Sequence, residues 1–429
     1  MGCGMSSRLM IKDRMGEFEI RNPTKEIELH QRAQLINQPH YKVGDYFTVD
    51  IDNKQFKYFE SRFTSLIQKE IESKNVKINW DSPEQFVVSL MRNPAVRRDI
   101  IGIITRKGFD HPYRWLCWRL FARADNPNFT YNQEREASRR DLYPKLVACK
   151  NEVVEDIVTK DVLRTARHKE LFSSLDAVGS QMLYDNCKAV GCFFPKTGYV
   201  QGMNFIMGFL LEISGLEEVA TFNFIVNFWK KRKNLYFGLF EADLPLMKFL
   251  KFCFHKMLLK RQPKLSEAIR KNGIPDELWV TKWLLSFYSF SVTKEYLIRI
   301  FDFLMVTDMF GLVYVGLLIT EQLKKVILEA DLPEFAQAVG SPETLCAKLD
   351  YHKFVKALKT VEVSRETRLN WLDEYYYTLD ETGKTRFHYY YRVTRDRLAI
   401  TFKENWDEWA HVDDYEDFDQ PELARMLDT

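Results

Sequence analysis

A glutamine between two glycines is the first candidate for chemistry in this sequence. The stretch 196–204, KTGYVQGMN, runs directly into a long apolar segment. Gly198 and Gly202 bracket Gln201, which indicates a place where the backbone bends or approaches another segment closely. The neutral amide offers both a hydrogen-bond donor and an acceptor, which suits the positioning of a water molecule. In extended backbone, Tyr199 and Gln201 point the same way. The alternative is a tight loop whose glutamine only caps the next helix.

A second candidate is an acid–arginine pair upstream, in the stretch 158–165, VTKDVLRT. Asp161 precedes Arg164 by three residues, so in a helix both lie on one face of a single turn. A carboxylate in this position holds and aims the guanidinium, which is planar and permanently charged. The alternative is an ordinary ion pair on a helix surface, which contributes only a few tenths of a kcal/mol to stability.

These two stretches, together with RWLCWRLF at 114–121, resemble the TBC family of GTPase-activating domains for Rab-type small GTPases. The third stretch is similar to the family's opening R-x-x-x-W-x-x-L-L pattern. Later landmarks of the family are similar to WLLSF at 283–287 and RIFDF at 299–303. The resemblance covers roughly residues 100 to 330. It departs from the family at Val158, usually isoleucine, and at Phe121, usually leucine.

The resemblance implies an all-α, multi-helix domain and a division of roles among its residues. Arg164 stabilises the negative charge that develops as a partner hydrolyses GTP, and Gln201 orients the attacking water in trans. Asp161 aims Arg164. The supporting residues implied by the family motifs, or placed beside them, are Tyr199, Gly202 and Asn204 in the glutamine loop and Arg114 and Trp118 in the opening motif, with Trp118 in the core.

Composition bounds the class of protein. The 429 residues carry a formal net charge of +2 and are 46% hydrophobic and 14% aromatic, which favours a sizeable folded core and argues against a nucleic-acid partner. The seven cysteines form no CxxC pair, which indicates a reducing compartment and no structural zinc. Neither a P-loop nor G-x-S-x-G occurs, so we expect a regulator rather than an independent enzyme. It needs no cofactor of its own, because GTP and Mg²⁺ belong to the partner.

The N-terminus begins MGCGMSSR, which matches the pattern for myristoylation at Gly2. A palmitoyl group on Cys3, with nearby basic residues, supplies the second signal that stable membrane attachment requires. The alternative is an unmodified Met-Gly start. We expect a peripheral protein on the cytoplasmic face of an endomembrane or the plasma membrane, since no apolar run is long enough to span a bilayer. Lys230–Lys233 is either a solvated helix end or a contact for acidic lipid or protein.

The chain divides into three predicted parts. Residues 1–99 combine the lipidation signal, a loop-rich stretch and helices near 56–71 and 83–91. Residues 100–335 form the Rab-GAP domain. Residues 336–429 form an extension with a helix after Ser341, a possible β-hairpin over 375–393 and an acidic tail.

The expected function is activation of a Rab-type GTPase in its GTP-bound state, in vesicle trafficking at a membrane. The rival is a catalytically silent scaffold or effector on the same fold. The presence of both Arg164 and Gln201 counts against the rival, because a pure binder needs neither residue.

Overall fold

The structure, a computed structural model, places part of the chain in two compact units. The described residues are 8–13, 16–21, 108, 114, 115, 118, 122, 142–166, 178–195, 197–214, 218–230, 235–360 and 363–399. The first unit comprises 1–47, 130–227 and 414–429, and the second comprises 48–129 and 228–413.

The described part of the first unit is mainly helical. Its elements are β1 (Arg8–Asp13), β2 (Gly16–Arg21), a helical stretch over 142–148, α1 (Glu152–Ala166), α2 (Val178–Phe193), α3 (Met203–Ser214) and α4 (Glu218–Lys230), which continues into the second unit. The two strands pair antiparallel, with Arg8 opposite Arg21 and Asp13 opposite Gly16.

Helices α1, α2 and α3 pack on one another and position the candidate site. On α1, Val154, Val158 and Val162 recur every four residues and are buried, which makes one apolar stripe along the helix. Helix α3 is apolar almost all round and ten of its twelve residues are buried. A helix of that kind belongs in a core, so the segment that follows Gln201 is a fixed support.

The second unit is built from short and medium helices. Its elements are two 3₁₀ turns (Tyr236–Leu239 and Asp276–Leu278), α5 (Pro245–Arg261), α6 (Pro263–Lys271), α7 (Val280–Leu285), α8 (Lys294–Val306), α9 (Phe310–Gln322), α10 (Lys324–Glu329), α11 (Leu332–Ala338), α12 (Pro342–Cys346), α13 (Tyr351–Leu358), α14 (Arg365–Thr378) and α15 (Glu381–Ala399). Helix α9 is buried from Phe310 to Thr320 and packs against α5, so these two helices form the centre of the unit.

The all-α fold class is confirmed, but the predicted β-hairpin over 375–393 is wrong. That stretch lies in two helices, the end of α14 and most of α15, which pack on each other. The residues read as a turn begin a helix instead, because Asp380 Oδ1 accepts a hydrogen bond from the Gly383 backbone N–H at 2.7 Å. Phe387 and Tyr390, three residues apart on α15, and Tyr375 on α14 are all buried, so packing overrides their preference for strands.

Further findings concern the two predicted parts on either side of the Rab-GAP domain. The helix after Ser341 is confirmed, and it begins with a capping box between Ser341 and Thr344. The strands β1 and β2 lie in a stretch that the sequence presents as loop-rich; alternating residues such as Phe18 and Ile20 are typical of such pairing. The helices predicted near 56–71 and 83–91 lie outside the described residues.

Candidate functional site

Helix α1 presents Arg164 to solvent on its last turn. The Arg164 side chain is 60% exposed, whereas that of Asp161 is only 4% exposed. Nη1 of Arg164 donates to Asp161 Oδ1 at 3.3 Å, so the expected pair forms. Because the acid is buried and the base is exposed, this is not the ordinary surface pair of two solvated side chains. The carboxylate is a fixed anchor from which the guanidinium projects outward.

The loop between α2 and α3 presents Gln201 to solvent. The Gly198 N–H donates to the carbonyl of Phe194 at 2.6 Å, which closes the end of α2. Gly198 and Gly202 have φ of +65° and +111°, the region that favours glycine. Gln201 is exposed in the turn before Gly202, and α3 begins at the next residue. The two glycines therefore allow the chain to turn the amide outward immediately before a buried helix.

Tyr199 joins this loop to α1. Its side chain is buried, and its hydroxyl donates to Asp161 Oδ2 at 3.1 Å. Burial raises the pKa of Tyr199 well above its usual value, with further contributions from Cys187 and Asp161. Burial also raises the pKa of Asp161, against which the Tyr199 hydrogen bond and the Arg164 charge act. The phenol thus remains a protonated donor to the carboxyl that anchors Arg164.

Asn204 makes the second connection between the loop and α1. Its Nδ2 donates to Thr165 Oγ1 at 2.5 Å, and that hydroxyl donates to the carbonyl of Asp161 at 3.0 Å. Its Oδ1 accepts from the Gly202 N–H at 3.1 Å. Asn204 is almost fully buried, so one amide satisfies both the turn and the neighbouring helix.

The resulting arrangement is one exposed cation and one exposed neutral amide on two cross-linked segments. The cross-links are the Tyr199–Asp161 bond and the bonds from Asn204 Nδ2 to Thr165 Oγ1 and, at 3.4 Å, to the Asp161 carbonyl. Tyr199 is buried and Gln201 is exposed, so the two side chains do not share a face as they would in extended backbone; Gln201 lies in the turn that precedes α3. An arrangement of this kind suits the stabilisation of negative charge and the placement of a water on a molecule outside this chain.

A family model described as Rab-GTPase-TBC domain matches residues 111–328. This chain belongs to the Rab-GTPase-TBC domain family. The match contains both segments of the candidate site. The match and the predicted domain of 100–335 overlap, although the predicted boundaries themselves stay a prediction.

Relatives of this TBC domain occur in distant organisms. The chain is 26% identical over 265 residues to the GTPase-activating protein GYP5 of Saccharomyces cerevisiae, which covers 58% of this chain but 27% of that protein. It is 25% identical over 288 residues to Growth hormone-regulated TBC protein 1 of Xenopus laevis, covering 66% of this chain and 77% of that protein. The chain thus spans about a quarter of the length of GYP5.

A solved structure supports the fold. The crystal structure of the Chlamydomonas flagellar RabGAP TBC domain aligns with a TM-score of 0.50 at 18% identity, covering 70% of this chain and 92% of that one. At this identity the likeness concerns the fold alone.

Two of the predicted supporting residues of the TBC domain lie in its second unit. Arg114 Nε and Trp118 Nε1 both donate to Asp302 Oδ1, at 3.2 and 2.9 Å. Arg299 Nη1 donates to the other oxygen of Asp302 at 3.0 Å. Burial raises the pKa of Asp302, against which the charges of Arg114 and Arg299 act. Trp118 is fully buried, as expected of a core residue, and these contacts give the opening motif a structural task.

Sequence reasoning missed two residues that build the TBC site. Thr165 relays the bond between Asn204 and Asp161, and its position four residues after Asp161 was the available signal. Gly191 lets the loop approach α2: a Cβ there would lie 3.0 Å from Tyr199 Cβ and 2.9 Å from Val154 Cγ1. No local pattern reveals that requirement, because the close neighbour is not adjacent in sequence.

Several other predictions for the TBC protein fall outside the described residues. These are the lipidation positions Gly2 and Cys3 and the basic run through Lys233. Within the described ranges, no cluster of three or more His, Cys, Asp or Glu side chains is arranged to hold a metal ion. In the same ranges, no helix has the length and apolar character that crossing a bilayer requires.

Proposed function

We propose that this chain is a GTPase-activating protein for a Rab-type small GTPase in its GTP-bound state. Arg164 enters the partner's nucleotide site and stabilises the charge of the transition state, and Gln201 places the attacking water. Asp161 aims Arg164. GTP and Mg²⁺ belong to the partner, so this chain supplies two side chains and no cofactor.

The observation that carries the proposal is the joint exposure of Arg164 and Gln201 on two segments that Asp161, Thr165, Tyr199 and Asn204 lock together. A residue that acts on another protein's substrate must be exposed, and it must be held so that little ordering is needed on binding. Both conditions are met by a buried carboxylate beneath the guanidinium and by a turn that is pinned to the same helix.

The chemistry explains why these residue types are needed. Phosphoryl transfer to water spreads negative charge over the oxygens of the transferred phosphoryl group, and catalysis consists mainly of positioning and electrostatic stabilisation. A permanently charged, planar guanidinium fits those oxygens, and a trans-acting arginine contributes roughly 10³–10⁵ in rate. A neutral glutamine orients water without adding charge.

The names of relatives support the regulatory class. GYP5 is named a GTPase-activating protein, and the family model names Rab GTPases. A silent scaffold on the same fold is the second candidate. It is disfavoured because burying an acid to hold an exposed arginine costs free energy of folding, and a surface that only binds does not need that arrangement.

We further propose that the protein acts on a membrane in vesicle trafficking, attached through acyl groups at Gly2 and Cys3. The sequence pattern at the N-terminus supports this. Gly2→Ala should move the protein from the membrane to the soluble fraction of a cell lysate; unchanged partitioning would count against acylation.

Single-turnover GTP hydrolysis by a panel of Rab proteins tests the catalytic proposal. Wild type should accelerate hydrolysis by at least one Rab, and Arg164→Ala and Gln201→Ala should each lower that acceleration by roughly 10²-fold or more while partner binding persists. Arg164→Lys keeps the charge but loses the planar fork, so it should recover only part of the rate. The matched control is Arg270→Ala, an exposed arginine at the end of α6. Acceleration that survives Arg164→Ala would falsify its assigned role.

A further inference from the structure

Helix α1 leaves a row of side chains exposed beside Arg164. Val153 is 72% exposed, although it is an aliphatic residue. The side chains of Asp156 and Lys160 are each 62% exposed. Val153, Asp156 and Lys160 precede Arg164 by eleven, eight and four residues. At these helical spacings all of them lie along the same side of the helix as Arg164. We call Val153, Asp156 and Lys160 the α1 ridge.

The α1 ridge is held rigidly. The opposite side of the helix is buried through Val154, Val158 and Val162, so the exposed row cannot rotate inward. Lys160 Nζ donates to Asp156 Oδ2 at 2.5 Å, which makes the middle of the ridge a neutral pair. The ridge therefore offers a partner one apolar contact at its N-terminal end and one paired polar contact nearer Arg164.

We infer that the α1 ridge is part of the surface that docks the GTPase and that it helps select which GTPase is bound. The inference rests on the proposed function, because it is the entry of Arg164 into the partner that brings this face of α1 against it. Two inserted side chains cover far less surface than a specific complex buries, which is about 800 Å² on each partner. The surface around Arg164 must supply most of the remainder.

The dimensions fit this assignment. Eleven residues of helix span about 16 Å. A roughly circular patch of about 800 Å² has a radius of about 16 Å, so a patch centred on Arg164 reaches the whole of the ridge. Val153 then lies near the rim and Lys160 lies well inside the contact.

The chemistry of the α1 ridge defines the partner surface. An exposed valine needs an apolar counterpart, and a neutral acid–base pair tolerates a polar but not a strongly charged neighbour. The occupant is therefore the face of the GTPase beside its nucleotide, carrying an apolar residue opposite Val153 and no excess charge opposite Asp156 and Lys160. Partners that place a charge there are rejected, which is how such a contact contributes to specificity.

Two measurements with the full chain test the inference. The first is the affinity for the GTPase loaded with a non-hydrolysable GTP analogue. The second is stimulated hydrolysis as a function of activator concentration, which gives a half-saturating concentration and a maximal rate. Val153→Asp and Lys160→Glu should each weaken binding and raise the half-saturating concentration about five- to tenfold, with the maximal rate retained.

The variants are chosen so that misfolding is not the explanation. Val153 lies in the first turn of α1, where an added carboxylate is favourable to the helix. The double exchange Asp156→Lys with Lys160→Asp keeps an ion pair but reverses its direction. It should weaken binding to the GTPase while the midpoint of thermal unfolding stays close to that of wild type. Matched controls are Leu328→Asp and Lys325→Glu, an exposed leucine and an exposed lysine on α10, which should leave both measurements unchanged.

The outcomes separate this inference from the proposed function. If Arg164→Ala abolishes stimulation while the ridge variants bind as wild type does, the docking inference is wrong and the proposed function stands. If wild type binds a GTPase without stimulating it, the proposed function fails, and the effect of Val153→Asp on affinity still decides the docking inference. If the ridge variants lower only the maximal rate, the ridge is not a docking surface. If wild type binds no GTPase, both are overturned.

Discussion

Asp161 is the residue on which the site depends most. One carboxylate oxygen accepts from Arg164 and the other accepts from Tyr199, while the backbone carbonyl of the same residue accepts from Thr165. A buried carboxylate costs free energy unless it is hydrogen-bonded, and here both oxygens have a donor. The same acid thus couples the direction of the guanidinium to the position of the glutamine loop.

Substitutions of Asp161 should separate aiming from stability. In Asp161→Asn the amide oxygen still accepts from Tyr199, but the amide NH₂ faces the guanidinium and cannot accept from it. We expect the stimulated rate to fall at least about tenfold, while the free energy of unfolding changes by less than about 1 kcal/mol. Asp161→Ala should lower both, because the buried Tyr199 hydroxyl loses its acceptor at a cost of about 1–3 kcal/mol.

Stimulated hydrolysis and urea unfolding of both variants provide the check. A full rate in Asp161→Asn would show that the carboxylate does not aim Arg164, and equal stability of the two variants would show that the Tyr199 bond contributes little.

Helix α2 packs against both α1 and α3 and supports the two segments that carry the site. Lys188 on α2 forms an ion pair with Glu155 on α1 at 2.7 Å, and Gly191 allows the Tyr199 backbone to approach. Unlike most core helices, α2 also buries an acid: Asp185 is 2% exposed and accepts from Gln181 Nε2 at 3.0 Å. The helix that supports the site therefore carries an ionisable group whose charge opposes folding.

The stability of the protein should depend on pH through Asp185. Burial raises the pKa of Asp185 to about 7, against which the Gln181 hydrogen bond and the Lys188 charge act. In the unfolded chain an aspartate titrates near about 3.9. Between these values the folded state binds more protons than the unfolded state, so this group makes stability fall as pH rises from about 4 to 7.

Asp185→Asn removes this titration. The free energy of unfolding of the variant, relative to wild type, should increase by about 2–3 kcal/mol between pH 5 and pH 8. Urea unfolding at four pH values across this range measures the difference, in which the contributions of other acids cancel. Parallel profiles for the two proteins would contradict the assignment.

At the scale of the whole molecule, the C-terminal helix pair is part of the second unit rather than an appendage. Phe387 on α15 is fully buried, with ring-centroid distances of 5.2 Å to Phe249 on α5 and 5.0 Å to Tyr375 on α14. Arg368 and Arg397, one on each helix of the pair, both bind Asp308, at 2.8 and 3.1 Å. The described C-terminal residues lie beyond the matched family segment, yet they complete the core around α5.

Removing one ring from this core should therefore destabilise the unit. Phe387→Ala should lower the free energy of unfolding by about 3–5 kcal/mol, because it removes a fully buried ring and leaves a cavity. Tyr377→Ala is the matched control on α14: its side chain is 70% exposed, so the change should stay within about 0.5 kcal/mol. Thermal and urea unfolding measure both, and similar losses in the two variants would mean that the helix pair is not packed as described.

The sequence by itself determined the helical class, the family and the identity of the candidate residues. Each of these depends on patterns within a few residues. Asp161 and Arg164 are three apart, so one helical turn suffices to join them. The glycines around Gln201 predict a turn at the start of an apolar helix, and the tryptophan spacing predicts Trp118 in the core; both are confirmed.

Only the tertiary structure decided which side chains meet across the chain. Tyr199 and Asp161 are 38 residues apart and Asn204 and Thr165 are 39 apart, so no local pattern specifies that they bond or that Tyr199 turns inward while Gln201 turns outward. The same limit explains the error over 375–393. The tyrosines there favour strands, but Tyr375 and Phe387 pack against Phe249 on α5, and that packing stabilises helices instead. Local propensities amount to about 1 kcal/mol or less per residue, whereas burying one aromatic side chain contributes about 2–3 kcal/mol, so long-range packing prevails where the two disagree.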